Sequence, residues 1–253
     1  MPMGLKMSRW PVYVINLPRS ADRWDHMLEK FPNENFTKVA GVDGSAWGNG
    51  ELSDTGRPKF KDEYLELLLR DGVLTEWSLN IWPWIPAEVG CAFSHMRAWR
   101  QILDEKNPWT IVLEDDVAPS DILTGTLQEG LLEQVGIPDD AEVIFLHGPS
   151  KEYEVVIDED NRLLRGWGNM GYAISLPGAV RALESMVPMY LPCDIQWWAR
   201  AFKGLNMYIN IPEPMMEKGQ AYAMTTPLIA LSKHSYISTL TESGKKPWKR
   251  LPY

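Results

Sequence analysis

The stretch WTIVLEDDV at residues 109–117 places an apolar run directly before three carboxylates. The run at residues 109–113 lacks the alternation of a half-exposed strand, which is typical of a strand covered on both faces. Glu114, Asp115 and Asp116 then fall at the carboxyl end of that strand, the edge at which α/β folds place their ligands. We therefore expect an α/β sheet with an acidic site at its edge.

Outside this strand, the sequence alternates between strand-like and helix-like segments. Apolar and β-branched runs predict strands at residues 10–17, 36–40, 109–113, 142–146, 171–175 and 206–211, and a hairpin of 153–157 with 163–166. Amphipathic spacing and cap residues predict helices at residues 20–31, 60–70, 86–106, 121–135, 178–186 and 194–202. This order predicts a mixed, mostly parallel central sheet that is flanked by helices.

The chain shows no linker-like stretch, so we expect a single domain over residues 1–253. Residues 45–86 are rich in Gly, Pro and Trp and contain one clear helix. We interpret them as an insertion that shapes the site. Residues 236–253 are expected to form an irregular tail.

Composition and charge exclude several classes of protein. The 253 residues carry 25 basic and 34 acidic side chains, a net charge of −9 without a basic face, so nucleic acid is not an expected partner. No apolar stretch reaches the roughly 18–20 residues that span a bilayer, and the start lacks the apolar core of a signal peptide. We expect a cytoplasmic protein with reduced thiols at Cys91 and Cys193, at most touching the inner face of a membrane through its basic tail.

The three carboxylates at residues 114–116 predict a cation site. Adjacent negative charges repel one another, and a divalent cation relieves that repulsion; oxygen ligands suit Mg²⁺ or Mn²⁺, which in turn hold a diphosphate. The alternative is a solvated acidic turn in which one Asp caps the next helix.

Three further motifs have both a functional and a structural interpretation. His95 lies beside the apolar stripe of the helix at 86–106, where a histidine is commonly structural. Arg19 and Arg23 follow the first strand, where they either meet the phosphates or base of a nucleotide or form surface ion pairs. Asp194 is either the N-cap of the helix at 194–202 or a carboxylate base that this helix holds rigid.

Taken together, these motifs resemble glycosyltransferase family 25, which includes bacterial lipooligosaccharide galactosyltransferases and collagen galactosyltransferases. The similarity covers about residues 11–235, and the combination of Gly90-Cys91 and Ser94-His95 with the acidic motif is its most specific part. The matching pieces are Ile15-Asn16-Leu17 with Arg19 and Arg23, Gly41-Val42-Asp43-Gly44, Glu88-Val89-Gly90-Cys91, Ser94-His95 with Arg97 and Trp99, residues 112–117, Gly171-Tyr172-Ala173-Ile174-Ser175 with Gly178-Ala179, and Pro192-Cys193-Asp194.

The resemblance implies a GT-A-type fold and an inverting transfer of a hexose, commonly galactose, from a UDP-sugar to a hydroxyl of a glycan or glycolipid acceptor. It implies that Asp116 binds Mn²⁺ or Mg²⁺ and that Asp194 is the base, with His234 as a further metal ligand. The remaining residues expected at the donor are Asn16, Leu17, Arg19, Arg23, Asp43, Gly90, His95, Glu114 and Asp115.

Trp77, Trp82 and Trp84 have no counterpart that we know in the family. They are interpreted either as an aromatic platform for the acceptor or as a loop packed on the sheet. Two other functions stay open: a non-catalytic module that keeps the fold for binding, and a metal-dependent phosphohydrolase. The second would need further acidic or histidine ligands, and the sequence shows no second cluster.

Overall fold

A computed structural model describes residues 9–134, 137–147, 156–157, 159, 163–165, 169–198, 220–223 and 229–231. The strands are β1 (Val12–Asn16), β2 (Phe36–Ala40), β3 (Gly48–Leu52), β4 (Pro58–Phe60), β5 (Trp109–Glu114), β6 (Val117–Pro119), β7 (Ala141–Phe145), β8 (Val156–Ile157), β9 (Leu163–Arg165), β10 (Gly171–Ser175), β11 (Gln220–Ala223) and β12 (Ile229–Leu231). The helices are α1 (Ala21–Lys30), α2 (Asp62–Arg70), α3 (Glu76–Ile81), α4 (Pro86–Glu105), α5 (Leu127–Gln134), α6 (Leu176–Met186) and α7 (Cys193–Trp198), with a 3₁₀ turn at Gly44–Trp47.

The central sheet has the order β11-β7-β10-β5-β1-β2. β1 pairs in parallel with β2 and β5, β11 pairs in parallel with β7, and only β10 runs against its two neighbours. The predicted α/β fold with a mixed, mostly parallel central sheet is confirmed. Because five of its strands point the same way, their carboxyl ends share one edge.

Alternate residues of the strands enter two hydrophobic cores, one on each face of the sheet. Tyr13 and Ile15 of β1 join the core that contains α4 and α6, whereas Val12 and Val14 join the core that contains α1 and α5. All five residues of β1 are buried, as a strand covered on both faces requires. Fully apolar runs therefore mark the centre of this sheet.

Residues 45–86 contain more regular structure than their sequence predicts. β3 and β4 form a hairpin, and α3 begins at a capping box in which Thr75 and Ser78 exchange side-chain and backbone hydrogen bonds. Phe60 and Leu68 of this segment are buried in the same core as α4. The hairpin was missed because Gly and Pro interrupt its alternation, and α3 because six residues are too short to show a helical period.

The structure corrects the predicted start of α5 and the predicted capping role of Ser20. α5 begins at Leu127 instead of residue 121, because Thr126, just before it, forms a capping box with Glu129 in its first turn. Ser20 stands at the N-cap position of α1, but its side chain makes no cap hydrogen bond. The predicted strand at 206–211 and the tail at 236–253 lie outside the described residues, whereas β11 and β12 arise in a segment expected to be irregular.

Candidate active site

The candidate site lies at the sheet edge where β1, β2 and β5 end. Asn16 closes β1, Gly41 follows β2, and Glu114 closes β5. Gly41 donates its N–H to the Asn16 carbonyl at 2.9 Å, and β10 begins at the same edge because Gly171 pairs with Leu113. The parallel strands therefore bring the N-terminal and acidic motifs together.

Asp115 joins the acidic motif to the N-terminal segment. Its Oδ2 accepts a hydrogen bond of 2.6 Å from Asn16 Nδ2, and its Oδ1 lies 3.1 Å from the Arg23 guanidinium. Asn16 Nδ2 also donates to the Ser20 carbonyl at 2.8 Å, which ties the start of α1 to the end of β1. Burial still holds the pKa of Asp115 above its ordinary value, although Arg23 and Asn16 oppose that effect.

Asp116 is buried, and its charge has less compensation than that of Asp115. The residue is 7% exposed, and its Oδ1 has no hydrogen-bond partner among the described residues. Burial, followed by the charges of Glu114 and Asp115, raises the pKa of Asp116 to about 7. A buried, unpartnered carboxylate oxygen is a suitable ligand for a hard divalent cation, so Asp116 fits the predicted Mn²⁺ or Mg²⁺.

Glu114 turns toward α4. Its Oε1 lies 3.1 Å from Nε2 of the buried His95, whose Nδ1 is 2.9 Å from the Tyr172 hydroxyl. Trp99 Nε1 donates to the same hydroxyl at 2.8 Å. Burial opposes protonation of His95, but the hydrogen bonds to Cys91 and Glu114 outweigh it and raise its pKa to about 9.

Two free thiols adjoin this histidine. Cys91 lies one helical turn before His95 on α4, and Cys193 opens α7. A hydrogen bond with Cys193, opposed by burial and assisted by His95, lowers the pKa of the Cys91 thiol to about 7. Burial and the bond with Cys91 raise the pKa of Cys193, and Asn169 Nδ2 donates to the Cys193 sulfur at 3.3 Å.

The ligand atoms of Cys91, His95 and Glu114 all lie within 4.8 Å of one another. Within the described part of the chain, Glu114, Asp115 and Asp116 do not form such a group, because their side chains turn toward different partners. The structure therefore divides the acidic motif into two regions, one at Asp115 and Asp116 and one at Glu114.

Asp194 lies in the first turn of α7 and is partly exposed. The helix begins at Cys193, so the suggestion that Asp194 is its N-cap is wrong. The carboxylates of Asp194 and Glu114 both act on the thiol of Cys193 and raise its pKa. Asp194 thus directly follows a residue whose thiol hydrogen-bonds Cys91.

Other residues expected at the donor lie on the loop after β2 or pack against it. Arg19 and Asp43 form a partly exposed ion pair of 3.2 Å, and Asp43 caps the 3₁₀ turn through the Ser45 N–H. A Cβ on Gly90 would come within 2.6 Å of the Gly44 nitrogen. Gly90 therefore lets α4 approach this loop closely, and Leu17 is half-buried with its side chain against Gly41.

The three tryptophans do not form one exposed surface. Trp82 and Trp84 are buried, 5% and 7% exposed, and Trp82 Nε1 donates to the buried Glu88 at 3.1 Å. Both line a cavity of about 520 Å³ beside β3 and β4. Trp77 instead packs edge-on against Tyr190 at 5.3 Å. For Trp82 and Trp84, the structure therefore supports a packed loop and not an exposed aromatic platform.

The sequence reasoning missed the contribution of Cys91, Cys193 and Tyr172 to this site. The spacing of four residues between Cys91 and His95 was a signal for a shared helix face. Cys193 and Tyr172 carried no such signal, since their approach depends on how α7 and β10 pack. His234, the proposed further metal ligand, lies outside the described residues.

The sequence of the chain was compared with those of known protein families and proteins. Residues 10–163 match the sequence model described as "Glycosyltransferase family 25 (LPS biosynthesis protein)". Procollagen galactosyltransferase 2 of Mus musculus is 28% identical over 186 residues, covering 69% of this chain and 27% of that protein. "Probable inactive glycosyltransferase 25 family member 3" of Bos taurus is 27% identical over 201 residues, covering 75% of this chain and 31% of that protein.

The chain thus spans about a quarter to a third of the length of these relatives. Among solved structures, HddC from Yersinia pseudotuberculosis is 10% identical with a TM-score of 0.36, covering 92% of this chain and 99% of that one. Within the described residues, no helix is both long and apolar enough to cross a membrane.

Proposed function

Because the chain belongs to glycosyltransferase family 25, we propose that it transfers a hexose, with galactose as the first candidate, from a UDP-sugar to a hydroxyl of a glycan or glycolipid acceptor. The reaction inverts the anomeric carbon. Galactose is suggested by the name of the mouse relative, and a glycolipid acceptor by the family description.

The observation that carries this proposal is the buried Asp116 carboxylate, whose Oδ1 lacks a partner among the described residues. At this sheet edge, the Asp115 carboxylate already contacts Asn16 and Arg23. The Asp116 carboxylate is therefore the one that is left to bind a ligand. Asp116 would hold Mn²⁺ or Mg²⁺, which neutralises the departing diphosphate of UDP when bound.

The N-terminal residues are assigned to the nucleotide. Asn16 is fixed by Asp115 and by the Ser20 carbonyl, and this contact orients the start of α1 at the site. The partly exposed pair of Arg19 and Asp43 is assigned to the outer wall of the donor site. Arg23 keeps a positive charge beside the acidic motif, which lowers the cost of bringing a diphosphate to it.

Asp194 is assigned as the base. Inversion in one displacement needs a carboxylate that takes the proton of the acceptor hydroxyl on the face opposite the leaving group. Asp194 is partly exposed and sits in the first turn of α7, next to Cys193. It is therefore reachable by an acceptor while its backbone is held by a helix.

Calorimetric titration of UDP into the purified chain, with and without Mn²⁺, tests the donor site. We expect micromolar binding that requires Mn²⁺ and that Asp116→Asn abolishes. Asp104→Asn, which removes the same charge from an exposed position near the end of α4, should bind as the parent does. A UDP affinity that is the same with and without Mn²⁺, and the same in the parent and in Asp116→Asn, would contradict the assignment.

A panel of UDP-sugars with the parent and Asp194→Asn tests the chemistry. The variant should keep its affinity for UDP and lose at least a hundredfold in kcat, as loss of a general base predicts. Proton NMR of the product reports the anomeric configuration, and retention would refute the inverting displacement. Location is tested by cell fractionation, for which we expect the cytoplasmic fraction or the inner face of a membrane.

One relative favours a second candidate function. The bovine protein is named as probably inactive, which keeps open a module that binds nucleotide or glycan without turnover. Metal-dependent UDP binding without transfer from any UDP-sugar to any tested acceptor would support that function. The phosphohydrolase has no specific observation in its favour.

A further inference from the structure

The group formed by Cys91, His95 and Glu114 is not used by the proposed transfer reaction. Cys91 and His95 lie on α4, and Glu114 ends β5. Cys193, which begins α7, brings a third element to the same place. We propose that Cys91, His95 and Glu114 form a zinc site in which Cys193 is the fourth ligand. This site is separate from the Mn²⁺ or Mg²⁺ assigned to Asp116, and it does not depend on the proposed function.

The spacing of the ligand atoms suits a tetrahedral ion. Zinc bonds of about 2.0–2.3 Å place neighbouring ligand atoms about 3.3–3.8 Å apart. His95 Nε2 and Glu114 Oε1 are 3.1 Å apart, and the atoms of all three residues lie within 4.8 Å of one another. Cys193 hydrogen-bonds Cys91, so its sulfur lies beside the group and is the candidate for the fourth position.

The identity of the ligands selects the kind of metal. Thiolate and imidazole favour zinc and softer cations, whereas Mg²⁺ and Mn²⁺ prefer all-oxygen sites. The pair Cys91 and His95 is spaced by four residues on one helix, so both side chains point to the same side of α4. Glu114 is 30% exposed and leaves an entry path from solvent.

The surroundings of the ligands also resemble the outer shell of a metal site. Metal-bound histidines usually have a partner on the other ring nitrogen, and that partner fixes the ring. Tyr172 contacts Nδ1 of His95 at 2.9 Å while accepting an N–H from Trp99, which leaves Nε2 toward Glu114. The Asn169 amide donates to the Cys193 sulfur, a contact that stabilises a thiolate.

The first experiment measures zinc directly. The full chain, reduced with a phosphine and stripped with a chelator, is titrated with zinc against a chromophoric competitor, and the bound metal is counted by mass spectrometry. We expect one zinc per chain and, with Co²⁺ instead, the charge-transfer absorption of cobalt–thiolate bonds. Failure of the reduced parent protein to bind zinc, or a cobalt spectrum without thiolate bands, would overturn the site.

Variants test each ligand separately. Cys91→Ser and Cys193→Ser should each weaken the cobalt–thiolate absorption by about half and lower zinc affinity at least a hundredfold. His26→Gln, on α1, is the matched histidine control for His95→Gln and should bind zinc as the parent does. An unchanged cobalt spectrum in Cys193→Ser would refute the assignment of the fourth ligand.

Two variants separate a metal site from a merely structural cluster. Tyr172→Phe keeps all four ligands and removes the hydroxyl that contacts both His95 and Trp99, so zinc affinity should fall about 10–100-fold. Asp116→Asn should keep the zinc and its cobalt spectrum while losing Mn²⁺-dependent UDP binding. If Asp116→Asn lost zinc as well, the ion would belong to the donor site and the separate zinc site would be wrong.

Discussion

Replacing Asp116 by Asn should stabilise the metal-free protein at neutral pH. Burial raises the pKa of Asp116 from its ordinary value of 3.8 to about 7. The folded protein therefore holds a proton between pH 4 and pH 7 that the unfolded chain releases. The free energy of unfolding of the parent therefore falls as the pH rises from 4 to 7. The Asn variant has no carboxyl group at this position, so its free energy of unfolding does not fall for this reason.

The size of the effect follows from the same pKa difference. Each pKa unit corresponds to about 1.4 kcal/mol, so a charged Asp116 costs the fold at most about 4 kcal/mol at pH 8. The buried Asn amide itself costs about 1–3 kcal/mol if its hydrogen bonds are not made. That cost does not depend on pH, so the advantage of Asp116→Asn should grow by at most about 3 kcal/mol between pH 5 and pH 8.

Urea unfolding of both proteins at pH 5 and pH 8, in the presence of a chelator, measures this difference. Thermal unfolding should show the same trend, because about 1 kcal/mol corresponds to about 2–4 °C in a domain of this size. Asp104→Asn controls for the loss of a surface charge. Mn²⁺ at a hundred times its Kd should then raise the free energy of unfolding of the parent by about 2.7 kcal/mol and leave that of Asp116→Asn unchanged.

The reasoning fails if the stability difference between the parent and Asp116→Asn is the same at pH 5 and pH 8. That result would mean that Asp116 is solvated or neutralised in the folded protein, and its assignment as the cation ligand would lose its support. Stabilisation of both proteins by Mn²⁺ would place the cation elsewhere.

Three further substitutions have defined outcomes. Glu88→Ala removes the carboxylate that Arg57 contacts at 3.0 Å, and we expect a loss of about 3 kcal/mol in urea unfolding, with Glu88→Gln less affected. Gly90→Ala places a Cβ 2.6 Å from backbone and should cost about 1–3 kcal/mol in urea unfolding. An unchanged stability would contradict the close approach of α4. Arg23→Gln should weaken calorimetric UDP binding at least tenfold, and unchanged affinity would exclude Arg23 from the donor site.

Local periodicity allowed most of the central sheet to be predicted. β1, β2, β5, β7 and β10 were each anticipated within one or two residues. Runs that are buried on both faces mark β1, β5, β7 and β10 in the chain itself, whereas β2 is a mostly exposed edge strand. The hairpin of β3 and β4 was not anticipated. Its strands are short, mostly exposed and broken by glycine, so the pattern of burial that identifies a strand is absent.

The sequence by itself determined where the candidate site lies. An apolar strand followed at once by Glu114, Asp115 and Asp116 fixes three carboxylates at the ligand edge of a sheet, whatever the rest of the chain does. The family resemblance rested on motifs of the same local kind, and the match over residues 10–163 confirmed it.

Only the tertiary structure decided how the three carboxylates differ. Asp115 is paired with Asn16 and Arg23, which are 99 and 92 residues away, and Glu114 is paired with His95 on α4. Asp116 is left buried with one oxygen unpartnered within the described chain. The protonation and metal affinity of a carboxylate depend on the charges and donors around it in space, and sequence order does not specify them.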